Sequence, residues 1–197
     1  MADYPQQVQS NHRRAWDVLK GQELIHRPPW LRVIQEHVRL PNQVEIPDYY
    51  RVEMPGFVNI FAVTPDHQVV TIEQYRHGPG VVSIELPAGG FDGKGASDDP
   101  LETAKRELME ETGMSAGRWT LLGKFFVDAN RGCGWMYAFL AEEATAQQSP
   151  APEPTEIHMV RLQSLDAVRK LWFDGSISNM AASALVGLAL AHLEQTR

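Results

Sequence analysis

Cysteine is almost absent from this chain of 197 residues: Cys133 is the only one. A single thiol excludes an internal disulfide and leaves too few sulfur ligands for a cysteine-based zinc site. Long apolar runs are missing as well. No stretch reaches the roughly 20 residues that a bilayer-spanning helix needs, so no membrane partner is expected. The opening residues, MADYPQQVQSNHRRAWD, lack the apolar core of a signal peptide, and the expected compartment is the cytoplasm. Basic charge is in deficit. Eighteen Lys and Arg face 25 Asp and Glu, giving a net charge of -7. A general nucleic-acid binder needs basic surface to displace counterions, so nucleic acid is not an expected partner. An anionic substrate would need a metal ion or local arginines to approach. There is no internal repeat. His77 and His158 stand alone, without metal-ligand spacing, and read as surface or internally satisfied positions. Cys133 has no catalytic context.

What remains is an ordinary globular composition, 43% hydrophobic and 22% charged. The first 15 or so residues are polar and read as a frayed terminus. WLRVIQEHVRL, from Trp30, reads as a strand, PNQ as a turn and VEIPDYYRVEM as the return strand. A segment of this length cannot build its own core. Residues 1–56 are therefore expected to form a small β-sheet appendage that packs on the rest or on a second copy, and 57–197 to form the main domain. There, FVNIFAVT and QVVTIEQYR flank a turn in which Pro65 suits the second position. VVSIEL runs into the glycine-rich stretch PAGGFDGKGAS, where the backbone has wide conformational freedom. WTLLGKFFV, GWMYAFLA and IHMVRL read as further strands. TAQQSPAPEPTE reads as an exposed loop, and SLDAVRKLWFDG and NMAASALVGLALAHLEQ as closing helices. A strand-rich centre followed by helices predicts an α+β or layered α/β domain.

One helix carries the chemistry. Asp99 is its expected N-cap, Pro100 its first residue, Glu102 the partner in a capping box, and Gly113 its C-terminal cap. Leu101, Ala104 and Leu108 give one apolar stripe. Within it, RELMEETGM sets Glu107, Glu110 and Glu111 at i, i+3 and i+4. Like charges at this spacing repel by a few tenths of a kcal/mol per pair. Such a run is usually a solvated face, here expected roughly opposite the apolar stripe. The alternative is a site for a hard cation such as Mg²⁺, which prefers clustered carboxylates. Arg106 beside the trio and the glycine-rich loop leading into the helix favour the second reading.

RELMEETGM also resembles the core of the Nudix box, Arg-Glu-apolar-any-Glu-Glu-any-Gly-apolar; a chance match is on the order of one in ten million per position. LPAGGFDG, EQYRHG and SNMAASALVGLALAHL resemble the ADP-ribose pyrophosphatase branch of that family, and the likeness extends from roughly Trp30 to Leu193. The family pattern is met except upstream: Asp98 stands where a glutamate belongs and Asp92 where a glycine belongs, as if the loop had gained about three residues. The resemblance implies an α/β/α sandwich with a mixed sheet. It implies Mg²⁺- or Mn²⁺-dependent hydrolysis of a nucleoside diphosphate sugar: ADP-ribose to AMP and ribose 5-phosphate, or alternatively GDP-mannose or another nucleotide sugar. A Nudix-fold sensor that binds without cleaving is the alternative of another class. By the same resemblance Glu107, Glu110 and Glu111 would bind metal with the Ala88 carbonyl, Glu107 and Glu111 ahead of Glu110. Arg106 would orient the carboxylates, Arg76 would contact phosphate, and Glu156 or Glu153 would be the general base. Trp30 and Tyr50 would either stack on the base within a homodimer or pack in the core, and the partner would be a small nucleotide sugar; the loop DANRGCGW departs from the proline-containing loop of that branch, a difference expected to shape specificity.

Overall fold

The computed structural model describes residues 14–91 and 99–196. Asp92 and Asp98, and with them most of the lengthened loop, lie outside the described residues. The chain divides into two compact units: residues 1–55 with 128–134, and residues 56–127 with 135–197.

In the first unit, β1 (Asp17–Arg27), β2 (Leu31–Arg39) and β3 (Glu45–Glu53) form an antiparallel meander. The strand and return strand read from WLRVIQEHVRL and VEIPDYYRVEM are β2 and β3. β1 was not legible in the sequence. All 11 of its residues are exposed, so it has neither the alternation nor the apolar run that marks a strand. Side-chain ladders bind the sheet. Arg32 donates to Glu23 at 2.6 Å and to Glu53 at 2.9 Å, and the Arg51 fork donates to Glu36 at 3.0 and 3.1 Å. The tip Asp128–Gly134 returns to this unit late in the sequence. Gly132 lies opposite Val52, and the Tyr49 hydroxyl donates to the Asn130 carbonyl.

In the second unit, β4 (Phe57–Val63) is buried along nearly its whole length. It runs parallel to β10 (Gly132–Glu142) and antiparallel to β5 (Gln68–Arg76). β5 pairs antiparallel with β6 (Val81–Glu85) and with β12 (His158–Ser164). β7 (Ala88–Gly90) pairs with β4, and β9 (Arg118–Asp128) with β10. A short ribbon joins β8 (Met114–Ser115) to β11 (Thr145–Ala146). The β4–β5 turn closes as expected around Pro65, with His67 N–H donating to Thr64 O at 2.9 Å.

Alternation along β4 supplies both faces. Val58, Ile60 and Ala62 pack with Ala104 and Leu108 of α1 (Pro100–Thr112). Phe61 and Val63 pack with Val168 of α2 (Leu165–Phe173) and with Leu185, Val186, Ala189 and Leu190 of α3 (Met180–Gln195). A mixed sheet between helices is the layered architecture expected, and burial on both faces explains the nearly unbroken apolar run of β4.

Candidate active site

Helix α1 begins as read: the Asp99 side chain accepts from Leu101 N–H at 2.9 Å, and Pro100 follows. Glu102 departs from the capping box and accepts from Lys105 Nζ at 2.8 Å. Gly113 ends the helix at φ 69, the left-handed cap.

The expectation that the carboxylates would lie opposite the apolar stripe was wrong. Glu107 is 5% and Glu111 3% exposed. At 100° per residue Glu111 falls about 20° from Ala104, so it shares the core-facing side. Only Glu110 keeps a half-exposed side chain. The glycine strand makes this burial possible. β7 is held on β4, Ala88 opposite Asn59 and Gly89 opposite Val58, and Glu107 lies directly over Gly89. A Cβ on Gly89 would stand 1.9 Å from Glu107 Cδ, closer than any real contact. Ala88 N–H donates to Glu111 Oε2 at 2.9 Å. Arg106 spans the other two: Nη1 donates to Glu110 Oε2 and Nη2 to Glu107 Oε1, each at 2.6 Å.

Burial dominates the electrostatics. It pushes Glu107 up to about 7, against the pull of Arg106 and with help from Glu110 and Glu156. It pushes Glu111 up to about 8, against the Ala88 N–H and Arg76, with Glu107 and Glu156 adding to it. Among the described residues no three His, Cys, Asp or Glu side chains stand as a ready-made cation cage. The donor set still fits a hard divalent cation. Two buried carboxylates face the Ala-Gly-Gly strand β7, Arg106 satisfies Glu107, and among the described residues Glu111 accepts from a backbone N–H alone.

Arg76 is held, not free. Its Nε donates to Glu85 Oε1 at 3.0 Å and its Nη2 to Oε2 at 2.6 Å. Burial raises the Glu85 pKa, but the Arg76 fork, with Asn179 and Ser83, outweighs it and holds Glu85 below the usual carboxylate range. Glu85 was missed in the sequence. Its signal was a charged residue in the buried register of a strand, next to a buried Ser83. The Glu153–Glu156 turn closes with Glu156 N–H donating to Glu153 O at 2.8 Å and Glu153 N–H to Glu156 Oε2 at 3.2 Å. The charge of Glu156 couples to Glu107, Glu111 and Arg76.

The loop carrying these glutamates is stitched to the end of α1. Gln147 and Gln148 N–H donate to Gly113 O at 2.9 and 3.2 Å, and Ala151 N–H to Glu110 O at 2.9 Å. His158 is half-buried rather than a surface residue, with its Nε2 2.8 Å from Glu111 O. His77 is exposed and packs edge-on with Tyr75. Arg76, Ala88, Glu111, Glu156 and His158 line one cavity of about 590 Å³. A second, of about 340 Å³, adjoins Arg76, Glu85, Gly89 and Asn179. A larger one, about 670 Å³, lies at the other end of β4 near Thr64, His67 and His192. Its arginine, Arg118, is already neutralised by a two-pronged pair with Glu142, and it holds none of the expected site residues. Chemistry therefore selects the 590 Å³ cavity over the larger one. Trp30 and Tyr50 are exposed on the first unit.

The Nudix domain profile matches residues 55–181, well over half of the chain. The chain belongs to the Nudix family. Within it, the chain is 36% identical over 112 residues to an ADP-ribose pyrophosphatase of Bacillus subtilis (strain 168), covering 55% of this chain and 56% of that one. It is 36% identical over 100 residues to an ADP-ribose pyrophosphatase of Mycobacterium tuberculosis, covering 51% and 47%. The chain thus spans about half the length of these relatives. A longer match, 27% identical over 178 residues and covering 89% and 84%, is to a CMP-5'-(N-acetyl-N-hydroxy-3-aminopropyl)phosphonate hydrolase of Streptomyces rubellomurinus. Among solved structures, an ADP compounds hydrolase superposes with a TM-score of 0.80 over 93% of this chain and 96% of that one, at 19% identity. That likeness shares the Nudix fold. The Nudix box of this chain is α1, and its glycine-rich approach is β7.

Proposed function

We propose that this Nudix chain is a divalent-metal-dependent pyrophosphohydrolase of nucleoside diphosphate sugars, acting first on ADP-ribose to give AMP and ribose 5-phosphate. One observation carries the reading: two buried carboxylates, Glu107 and Glu111, close on the Ala-Gly-Gly strand β7 beside a cavity that also holds Arg76 and Glu156. Glu107 and Glu111 would hold the metal, with Glu110 and the Ala88 carbonyl as further ligands. A bound Mg²⁺ or Mn²⁺ neutralises diphosphate charge and acidifies water. The chain's own residues do the rest. Arg106 keeps Glu107 and Glu110 aimed, and Glu85 holds the Arg76 guanidinium ready for a phosphate oxygen. Glu156, which lines the cavity and couples to Glu111, accepts the proton of the attacking water, with Glu153 as the alternative. Trp30 and Tyr50 present exposed rings for base stacking in a homodimer.

The test is a substrate panel with Mg²⁺, containing ADP-ribose, GDP-mannose and CMP-linked compounds, run on the wild type and Glu111→Gln. Turnover of ADP-ribose with the highest kcat/KM supports the reading, and absence of turnover on every compound rejects it. The long match to a CMP-linked phosphonate hydrolase favours one second reading, the same chemistry on another nucleotide-linked substrate. A higher kcat/KM on those compounds would select it. Tight ADP-ribose binding without hydrolysis would instead mark a sensor.

A further inference from the structure

We propose that His158 is a positioning residue, which locks the last turn of α1, and with it the Glu111 carboxylate, to the strand that follows the base-bearing loop. The inference rests on the hydrolase reading above.

A helix ends with carbonyls that have no partner inside it. At the end of α1, Met109 O accepts from Gly113 N–H, Glu110 O from Ala151 N–H, and Gly113 O from Gln147 and Gln148 N–H. The partner of Glu111 O is different in kind: a side chain, His158 Nε2, at 2.8 Å. The carbonyl can only accept, so Nε2 carries a proton and donates it. The other ring nitrogen, Nδ1, is buried and has no hydrogen-bond partner among the described residues. A buried polar atom without a partner costs stability. The ring therefore fixes geometry while leaving stability on the table, which is the opposite of what a filler of the core does.

Its place explains what the geometry is for. His158 is the first residue of β12 and lies two residues beyond Glu156. It pairs with Gln74 of β5, two residues before Arg76. One imidazole thus stands where the segments bearing Glu111, Glu156 and Arg76 meet, on the wall of the cavity they share. Tilting the last turn of α1 by a fraction of an ångström would move Glu111 against Ala88 and Glu156 together.

The full-length chain is tested as His158→Phe, which keeps a ring and removes the donor, and as His158→Gln, which keeps an amide donor. With ADP-ribose and saturating Mg²⁺, H158F is expected to lose about 10- to 100-fold in kcat with KM within about threefold, and H158Q to recover most of the loss. Mn²⁺ binding without substrate, read from the free-ion EPR signal, is expected to weaken about 10- to 100-fold in H158F and to recover in H158Q. The melting temperature of H158F should stay near that of the wild type. Unchanged kcat or unchanged Mn²⁺ affinity in H158F overturns the proposal. So do equal losses in both variants, or a fall in melting temperature that accompanies the loss of kcat. If the wild type turns over no nucleotide-linked compound, the hydrolase reading fails, and the Mn²⁺ arm alone still decides the role of His158.

Discussion

Glu111 concentrates the chemistry at the scale of single residues. It is almost fully buried, and its hydrogen-bond donor is a backbone N–H. On the proposed hydrolase reading Glu111→Gln takes away a cation ligand worth several kcal/mol in the transition state, and the variant is expected to lose about 10³-fold in kcat. Steady-state rates at saturating Mg²⁺ check this; an unaltered rate would return α1 to a purely structural acidic helix. Gly89 is the companion position. Alanine there must displace Glu107 or the β7 backbone. Gly89→Ala should cost about 1–3 kcal/mol from overpacking, by denaturant melts, and should disable turnover out of proportion to that loss. Glu85 has a pH signature. Its folded-state pKa is depressed, so its contribution is present above the ordinary carboxylate range, about pH 4.3, and is lost as pH falls through the folded value. Arg76 is partly exposed and screened, so Glu85→Gln should cost about 1–3 kcal/mol at pH 7. The gap in stability between wild type and variant should close as the pH is lowered toward 3.

At the scale of elements, the end of the Nudix helix and the proline-rich loop behave as one assembly. Gly113 shows why. It sits at φ 69, and a Cβ there would lie 2.1 Å from Gln148 O. Gly113→Ala therefore strains the cap and pushes the loop off the helix. A loss of about 2–4 kcal/mol is expected in urea melts, with kcat falling on the proposed reading, in which the base Glu156 leaves with the loop. A stable variant with unaltered kcat would separate the loop from the chemistry. The loop was legible as a loop from its prolines. Its attachment was not, because its backbone N–H groups of Gln147, Gln148 and Ala151 make the bonds, and a backbone donor leaves no mark in a sequence.

For the whole molecule, two consequences are measurable. A cation that binds only the folded chain stabilises it by mass action, about 2.7 kcal/mol at 100 times its Kd. Mg²⁺ or Mn²⁺ should raise the melting temperature of the wild type and leave Glu111→Gln nearly unmoved. The first unit presents Val18, Leu19, Leu24 and Ile25 to solvent on β1. A small sheet with such a face is expected to be covered by a second copy, so light scattering at micromolar concentration should give a dimer mass. A monomer would count against the homodimer. No helix among the described residues is long and apolar enough to cross a membrane.

By itself, the sequence determined the longer strands and the helices of the second unit, including the carboxylate helix, but not the short strands β7, β8 and β11, two of which fall in stretches read as loops. Strand alternation, a proline-led cap and a nine-residue motif are local properties that survive without any tertiary contact. Tertiary structure decided which way the helix faces the sheet, and so turned Glu107 and Glu111 from an apparent surface run into buried carboxyls whose pKa values burial raises. It also decided the partner of Arg76, the docking of the loop and the placement of His158. Each depends on a long-range pairing: Glu85 beside Arg76, Gly89 beneath Glu107, and His158 on the carbonyl of Glu111, 47 residues away. β1 shows the same limit from the other side, since a fully exposed strand is made by its neighbour and not by its own pattern of residues.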